Sequence, residues 1–158
     1  MKILVLSDSH GIKTLMAQVA EKFNNTAACL LFLGDNAADC RALENVYKNP
    51  IHIVAGNCDF NSPHPKELIL EINGKKIWMT HGDTFGVKSG RGKIAAAAKA
   101  RDAHICLFGH THTPAEFYEN GIYFLNPGSI SEPRGRMGRS YAILEIIGSN
   151  ILTKIVEA

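Results

Sequence analysis

No hydrophobic run in this sequence is long enough to matter to a membrane. The first one, Ile3-Leu4-Val5-Leu6, breaks at the polar Ser7-Asp8-Ser9-His10. That is too short for a secretory h-region, and no stretch approaches the roughly 18 apolar residues of a spanning helix. Charge of one sign is scarce as well. The formal net charge is +2, so nothing in the balance calls for nucleic acid or an anionic lipid surface. The four cysteines form no CxxC pair, and Cys29 and Cys106 lie inside apolar runs. They read as small core residues in a reducing cytoplasm rather than as a disulfide framework or a thiolate zinc site. No GxxxxGK[ST] loop is present either, so Lys88, Arg91 and Lys93 near a glycine pair read as a solvated helix start. Repeats, low-complexity segments and interdomain linkers are missing too. The 158 residues read as one domain, residues 1–158, able to bury about 68–70% of the surface of the unfolded chain.

What is present is a succession of short apolar runs with helical patterns between them. Lys2 to Leu6, Ala28 to Leu33 and Ile51 to Ala55 read as buried strands. Between them, Leu15, Val19 and Phe23 mark one amphipathic helix, and Ala37 to Lys48 reads as a second. The opening third is therefore β-α-β-α-β, a parallel sheet with flanking helices. The centre changes period. Leu68–Ile72 and Lys76–Thr80 flank Asn73-Gly74, a type I′ hairpin signal. An alanine-rich helix over Ser89–Arg101 and a strand over Ile105–Phe108 follow. Glu116–Tyr118, Ile122–Leu125, Tyr141–Ile147 and Ile151–Val156 read as further strands. The fold class is α/β with two sheets' worth of strands.

The polar residues that follow the strands share one chemistry. The first strand ends in Asp8-Ser9-His10, the second in Gly34-Asp35-Asn36, and the third in Gly56-Asn57-Cys58-Asp59. The run around Trp78 ends in His81-Gly82-Asp83, and the run before Gly109 in His110-Thr111-His112. Open α/β sheets bind ligands at the carboxyl ends of their strands. Carboxylate, imidazole and amide oxygens gathered there suit divalent manganese, iron, zinc, cobalt or nickel. Each residue has a plainer reading: Asp8 as a helix cap, Asp35 and Asn57 as turn formers, and each histidine as an ordinary surface or core residue. Five strand ends of one character outweigh those readings, because carboxylates gathered at one pole without cations would repel.

In their order, Asp8-x-His10, Gly34-Asp35-x-x-x-Asp39, Gly56-Asn57-Cys58-Asp59, His81-Gly82 and Gly109-His110-x-His112 resemble the signature of the calcineurin-like metallophosphoesterases. The spacing is most similar to the YfcE-like phosphodiesterase branch, to which the retromer subunit of vacuolar sorting also belongs. Asn126-Pro127-Gly128-Ser129 and Pro133-Arg134-Gly135 match that branch too, and the resemblance runs from Lys2 to Glu145.

The resemblance implies a four-layer α/β/β/α sandwich and two divalent metal ions, manganese first, with nickel, iron, zinc or cobalt also compatible. It places Asp8, His10 and His112 on one ion, Asn57, His81 and His110 on the other, and Asp35 between them. Asp35, Asn57 and His81 would also act in catalysis. The implied reaction is hydrolysis of a small phosphate ester by in-line attack of a hydroxide bridging the metals. The resemblance further suggests a homodimer or homotetramer.

One position departs from many family members: where they carry a histidine after Gly-Asn, this chain has Cys58. A thiol replaces an imidazolium poorly as a proton donor near neutral pH, so phosphodiesters, or esters with acidic leaving groups, are the expected substrates. Two other functions stand beside this one: a retromer-type protein-interaction scaffold with vestigial metal binding, and a phosphomonoesterase. Asp39 and Asp59 complete motifs without being expected ligands, and orienting and turn-forming roles suit them equally. Arg134, Arg136 and Arg139 read as an exposed basic loop, and His52, His64 and His104 as structural.

Overall fold

Strands with apolar side chains on both faces can only be satisfied between two apolar surfaces, and the inner strands of this chain are of that kind. In the computed structural model, which describes residues 1–158, β1 (Lys2–Leu6), β2 (Cys29–Phe32) and β3 (Ile51–Ile53) run parallel in one sheet. The antiparallel strands β9 (Ser140–Ile147) and β10 (Asn150–Glu157) complete it, giving the order β10-β9-β1-β2-β3. The second sheet contains β4 (Glu67–Ile72), β5 (Lys75–Thr80), β6 (Ile105–Leu107), β7 (Ala115–Glu119) and β8 (Ile122–Asn126) in the order β4-β5-β6-β8-β7. Its three inner strands are parallel, with antiparallel edges.

The two-residue period of a strand sorts these side chains into three apolar layers. Ile3, Val5, Leu31, Ile77, Met79, Ile105, Leu107 and Leu144 meet between the sheets. Leu4, Leu6, Leu30 and Phe32 face the other way, against Met16, Val19 and Ala20 of α1 (Lys13–Phe23). On the far side, Trp78, Cys106 and Phe124 pack against Ile94 and Ala98 of α2 (Gly92–Ala100). The result is a four-layer α/β/β/α sandwich. Each fully buried Leu, Ile or Phe in these layers contributes about 1.5–3 kcal/mol, which makes the central layer the main determinant of how the sheets dock.

Both Asn-Gly hairpin signals are fulfilled. Asn73 and Gly74 have φ of 50° and 74°, and Asn120 and Gly121 have φ of 52° and 82°, the left-handed pair a type I′ turn requires. The expected helix over Ala37–Lys48 is instead a 3₁₀ segment covering Ala37–Leu43. Asn36 enters it at φ 65°, and the Asp39 carboxylate is drawn away to Ser9 and Gly11. These ties hold the segment in the tighter winding. Asp8 does not cap α1, whose N-cap is Ile12 with no side-chain hydrogen bond. No helix is long and apolar enough to cross a membrane.

Candidate metal centre

Because β1, β2 and β3 are parallel, as are β5, β6 and β8, their carboxyl ends deliver the following loops to one edge of the sandwich. Asp8 and His10 follow β1, Asp35 follows β2, Asn57 follows β3, His81 follows β5, and His110 and His112 follow β6. All seven residues expected from sequence converge there. Ligand atoms of Asp8, His10, Asp35 and His112 lie within 4.8 Å of one another, and those of Asp35, His81 and His110 form a second such group. Asp35 belongs to both. Asn57 joins the second group through its Oδ1, 3.1 Å from His81 Nε2.

The hydrogen bonds around the histidines decide what the cluster can hold. His81 Nδ1 donates to the Leu33 carbonyl at 2.8 Å, and His112 Nδ1 donates to the Glu132 carbonyl at 2.7 Å. In the neutral ring that leaves each Nε2 with a lone pair and no proton. His112 Nε2 then faces Asp8 Oδ1 at 3.1 Å. His81 Nε2 faces Asp35 Oδ1 at 3.4 Å, Asn57 Oδ1 at 3.1 Å and His110 Nδ1 at 3.1 Å. Asp8 Oδ1 is fully buried and accepts no hydrogen bond. Lone pairs aimed at one another in a buried site are repulsive unless a cation or a proton sits among them. The donor set, with backbone carbonyls fixing the ligand tautomers, fits divalent ions.

Protonation equilibria carry the same signature. Burial disfavours a charged His81, but its hydrogen bond to Asp35 and the charges of Asp8 and Asp35 raise its pKa. His112 is raised by its contact with Asp8, against burial. His110 is lowered, by burial first and then by the charges of His81 and Lys88. Burial would raise Asp35, but His81 and the Cys58 amide hold it well below the usual carboxylate range. Cys58 is exposed, yet partial burial and the neighbouring Asp35, Asp59 and Asp8 push its thiol up to about 11.

Local backbone strain is concentrated at this edge. Asp8, His10, Asp35, His110 and His112 all have positive φ, between 37° and 68°. A left-handed conformation at a non-glycine residue costs on the order of 1–3 kcal/mol and persists where surrounding contacts impose it. Those contacts come largely from residues to which the sequence assigned no chemistry. Ser129 and Ser131 hydroxyls donate to the Asp8 carbonyl at 2.8 and 2.7 Å. Asn126 Nδ2 donates to the Gly109 carbonyl at 2.9 Å. The Asn126-Pro127-Gly128-Ser129 motif, which in sequence showed only as a match to the family branch, is thus the brace behind Asp8 and the His110 loop.

Asp39 and Asp59 orient backbone rather than any histidine. Asp39 accepts from Ser9 Oγ and Gly11 N, both at 2.8 Å. Asp59 accepts from the amides of Asp35, Ala37 and Gly56 at 2.9, 2.7 and 2.8 Å. His104 lies away from the centre and accepts the Lys76 amide. Arg134, Arg136 and Arg139 are exposed.

Known proteins resemble this chain in sequence and fold. The chain is 34% identical over 148 residues to the probable metallophosphoesterase YsnB of Bacillus subtilis, covering 92% of this chain and 85% of that protein. It is 29% identical over 169 residues to phosphodiesterase YfcE of Escherichia coli, covering 92% and 88%. A crystal structure of a predicted phosphoesterase from Streptococcus pneumoniae superposes with a TM-score of 0.85 at 33% identity, covering 99% of this chain and 88% of that one. The vacuolar protein sorting 29 protein of Entamoeba histolytica, solved with zinc, shares the fold with a TM-score of 0.79 at 23% identity, covering 99% and 98%. Residues 1–149 match the calcineurin-like phosphoesterase superfamily domain. With histidine and carboxylate groups converging on two adjoining sites, and that match spanning nearly its whole length, the chain belongs to the calcineurin-like phosphoesterase superfamily.

Proposed function

We propose that the protein is a binuclear-metal phosphodiesterase, with Asp8, His10 and His112 on one ion, Asn57, His81 and His110 on the other, and Asp35 shared. The observation that carries this reading is the convergence of ligand atoms from His81, His112, Asn57 and the unpartnered Asp8 Oδ1 on two adjoining groups. Two divalent ions held there, manganese being the first to try, supply Lewis acidity toward phosphoryl oxygens and a nucleophile from water at neutral pH. The chain's own residues set the stage for that chemistry. Asp35 presents one carboxylate oxygen toward His81 and the other toward His10, which suits it to both groups at once. His81, locked by the Leu33 carbonyl, and Asn57 fix the second group.

The preference for diesters rests on Cys58. It adjoins Asn57, with Sγ 3.5 Å from Asn57 Nδ2, and offers a neutral thiol where an imidazolium would assist a poor leaving group. Esters with acidic leaving groups need no such help. The phosphomonoesterase reading lacks a proton donor at this position, and the docking-scaffold reading has only fold likeness behind it.

The test is hydrolysis of bis(p-nitrophenyl) phosphate and p-nitrophenyl phosphate by chelated protein reloaded with manganese. Diester cleavage should return with metal and fall on the order of 10³-fold in Asp35→Asn, while Cys58→His should shift the ratio toward the monoester. Stoichiometric metal binding with no turnover of either ester would replace this reading with the docking scaffold.

A further inference from the structure

Beside the metal centre lies a cleft of about 720 Å³ between the loop from Cys58 to His64 and the 3₁₀ segment that begins at Ala37. That volume falls within the range typical of small-molecule sites, roughly 300–1,000 Å³. Its lining includes the buried or half-buried Cys40, Ile51 and Ile53 and the exposed Arg41, Glu44 and Phe60. Phe60 is 87% exposed, the most exposed large hydrophobic side chain of the chain.

The cleft is joined to the candidate centre by hydrogen bonds rather than by proximity alone. Cys58 and Asp59 both line it. The Cys58 amide donates to Asp35 Oδ1 at 2.9 Å, and the Asp59 carboxylate receives the amide of Ala37, from the 3₁₀ segment that also lines the cleft, and the amide of Asp35 itself. The two walls are therefore fixed relative to each other and to the shared carboxylate. A group attached to a phosphate held at Asp35 has this cleft as its adjoining apolar space.

We infer that the cleft receives a planar aromatic ester substituent of the substrate, an aryl group or a nucleobase, with Phe60 as the stacking face. An exposed phenyl ring lining the cleft suits offset stacking, and Cys40, Ile51 and Ile53 offer uncharged surface beside it. Alkyl esters gain little there. This assignment rests on the phosphoesterase reading above and adds the substrate class to it.

Phenylphosphonate and methylphosphonate, titrated calorimetrically into the manganese-loaded protein, separate the two claims, because neither is turned over. Methylphosphonate reports the phosphate site, and the ratio of the two affinities reports the cleft. Phenylphosphonate should bind about five- to tenfold more tightly, with that margin lost in Phe60→Ala and kept in Phe60→Tyr. An adenosine phosphonate tighter than the phenyl compound would assign the slot to nucleobases, and a weaker one to smaller aryl groups. Equal affinity of phenyl and methyl compounds, or a margin untouched by Phe60→Ala, would overturn the cleft assignment and leave the phosphate site standing. Failure of both phosphonates to bind would overturn the phosphoesterase reading and this assignment together. A change of molar mass in Phe60→Ala by light scattering, with unaltered phosphonate affinity, would give the face to a second copy of the chain instead.

Discussion

The Asp59 carboxylate receives the Asp35 amide at 2.9 Å, so an aspartate outside both candidate ligand groups sets the backbone of the aspartate they share. Two further amides, from Gly56 and Ala37, end on the same carboxylate. Hydrogen bonds to a charged group contribute up to about 1.5–3 kcal/mol each net of exchange with water, less where the group is partly solvated, and buried donors left unpaired are costly. Asp59→Ala should therefore lower the urea-unfolding free energy by about 3 kcal/mol. It should also weaken manganese binding about 10- to 100-fold. Asp59→Asn, which keeps one acceptor oxygen, should fall between the two. Unchanged metal affinity in Asp59→Ala would mean the Asp35 loop holds its shape unaided.

Metal removal should be visible as lost stability. An ion that binds only the folded chain contributes about 2.7 kcal/mol when its concentration is 100 times its dissociation constant. Chelation should thus lower the melting temperature by about 5–10 °C per vacated site. Asp8→Asn should abolish part of that metal-dependent rise. In the metal-free state it should add about 1 kcal/mol, since an amide nitrogen at the position of Oδ1 can donate to His112 Nε2, 3.1 Å away. Calorimetry of both proteins, with and without chelator, checks the crossing pattern.

Gly109 leaves no room for a side chain. A Cβ there would collide with Ser7 Oγ and lie 2.8 Å from Asp8 Oδ2, and both residues are fully buried. Gly109→Ala should cost about 2–3 kcal/mol by overpacking and push Asp8 out of reach of its partners. Unfolding curves and metal titration of the same variant should both report the loss.

Alkaline pH should unfold the protein through its core thiols. Burial pushes Cys29 from 9.0 to about 11 and raises Cys106 and Cys40 further. Tyr47, whose hydroxyl donates to the Ala27 carbonyl, rises from 10.0 to about 12. A folded pKa above the unfolded one means that the unfolded chain loses its proton first. The contribution is therefore intact below pH 9 and declines as pH rises from about 9 toward 11. The slope is about 1.4 kcal/mol per pH unit for each group that stays protonated only when folded. Cys106→Ala should flatten the dependence of unfolding free energy on pH by one such group.

Continuous apolar runs such as Ile3-Leu4-Val5-Leu6 made the inner strands legible in sequence, because such a run is satisfied only between two apolar surfaces, while the four layers were implied by the family resemblance. The ligand positions were legible for a related reason: polar residues directly after buried strands land on one edge when the strands are parallel. Ala37–Leu43 misled because its helical periodicity is genuine, while its winding is decided by contacts from Asp59 and from Ser9, distant in sequence. Asn126, Ser129 and Ser131 were invisible as braces for the same reason. Their partners are backbone carbonyls of Gly109 and Asp8, and no spacing rule announces a side chain that holds a distant carbonyl. Phe60 went without a role because nothing in its neighbours reveals which way a loop aromatic points.

The candidate ligands are divided between the sheets: Asp8, His10, Asp35 and Asn57 hang from one, and His81, His110 and His112 from the other. A half-built chain with only one sheet formed owns neither complete set of donors. Ions bound by these groups would therefore be captured only after the sheets had closed on each other. Held there, they would act as a clasp across the seam. The holoprotein should then resist proteases for reasons of rate as much as of equilibrium, since opening the seam requires letting the metals go.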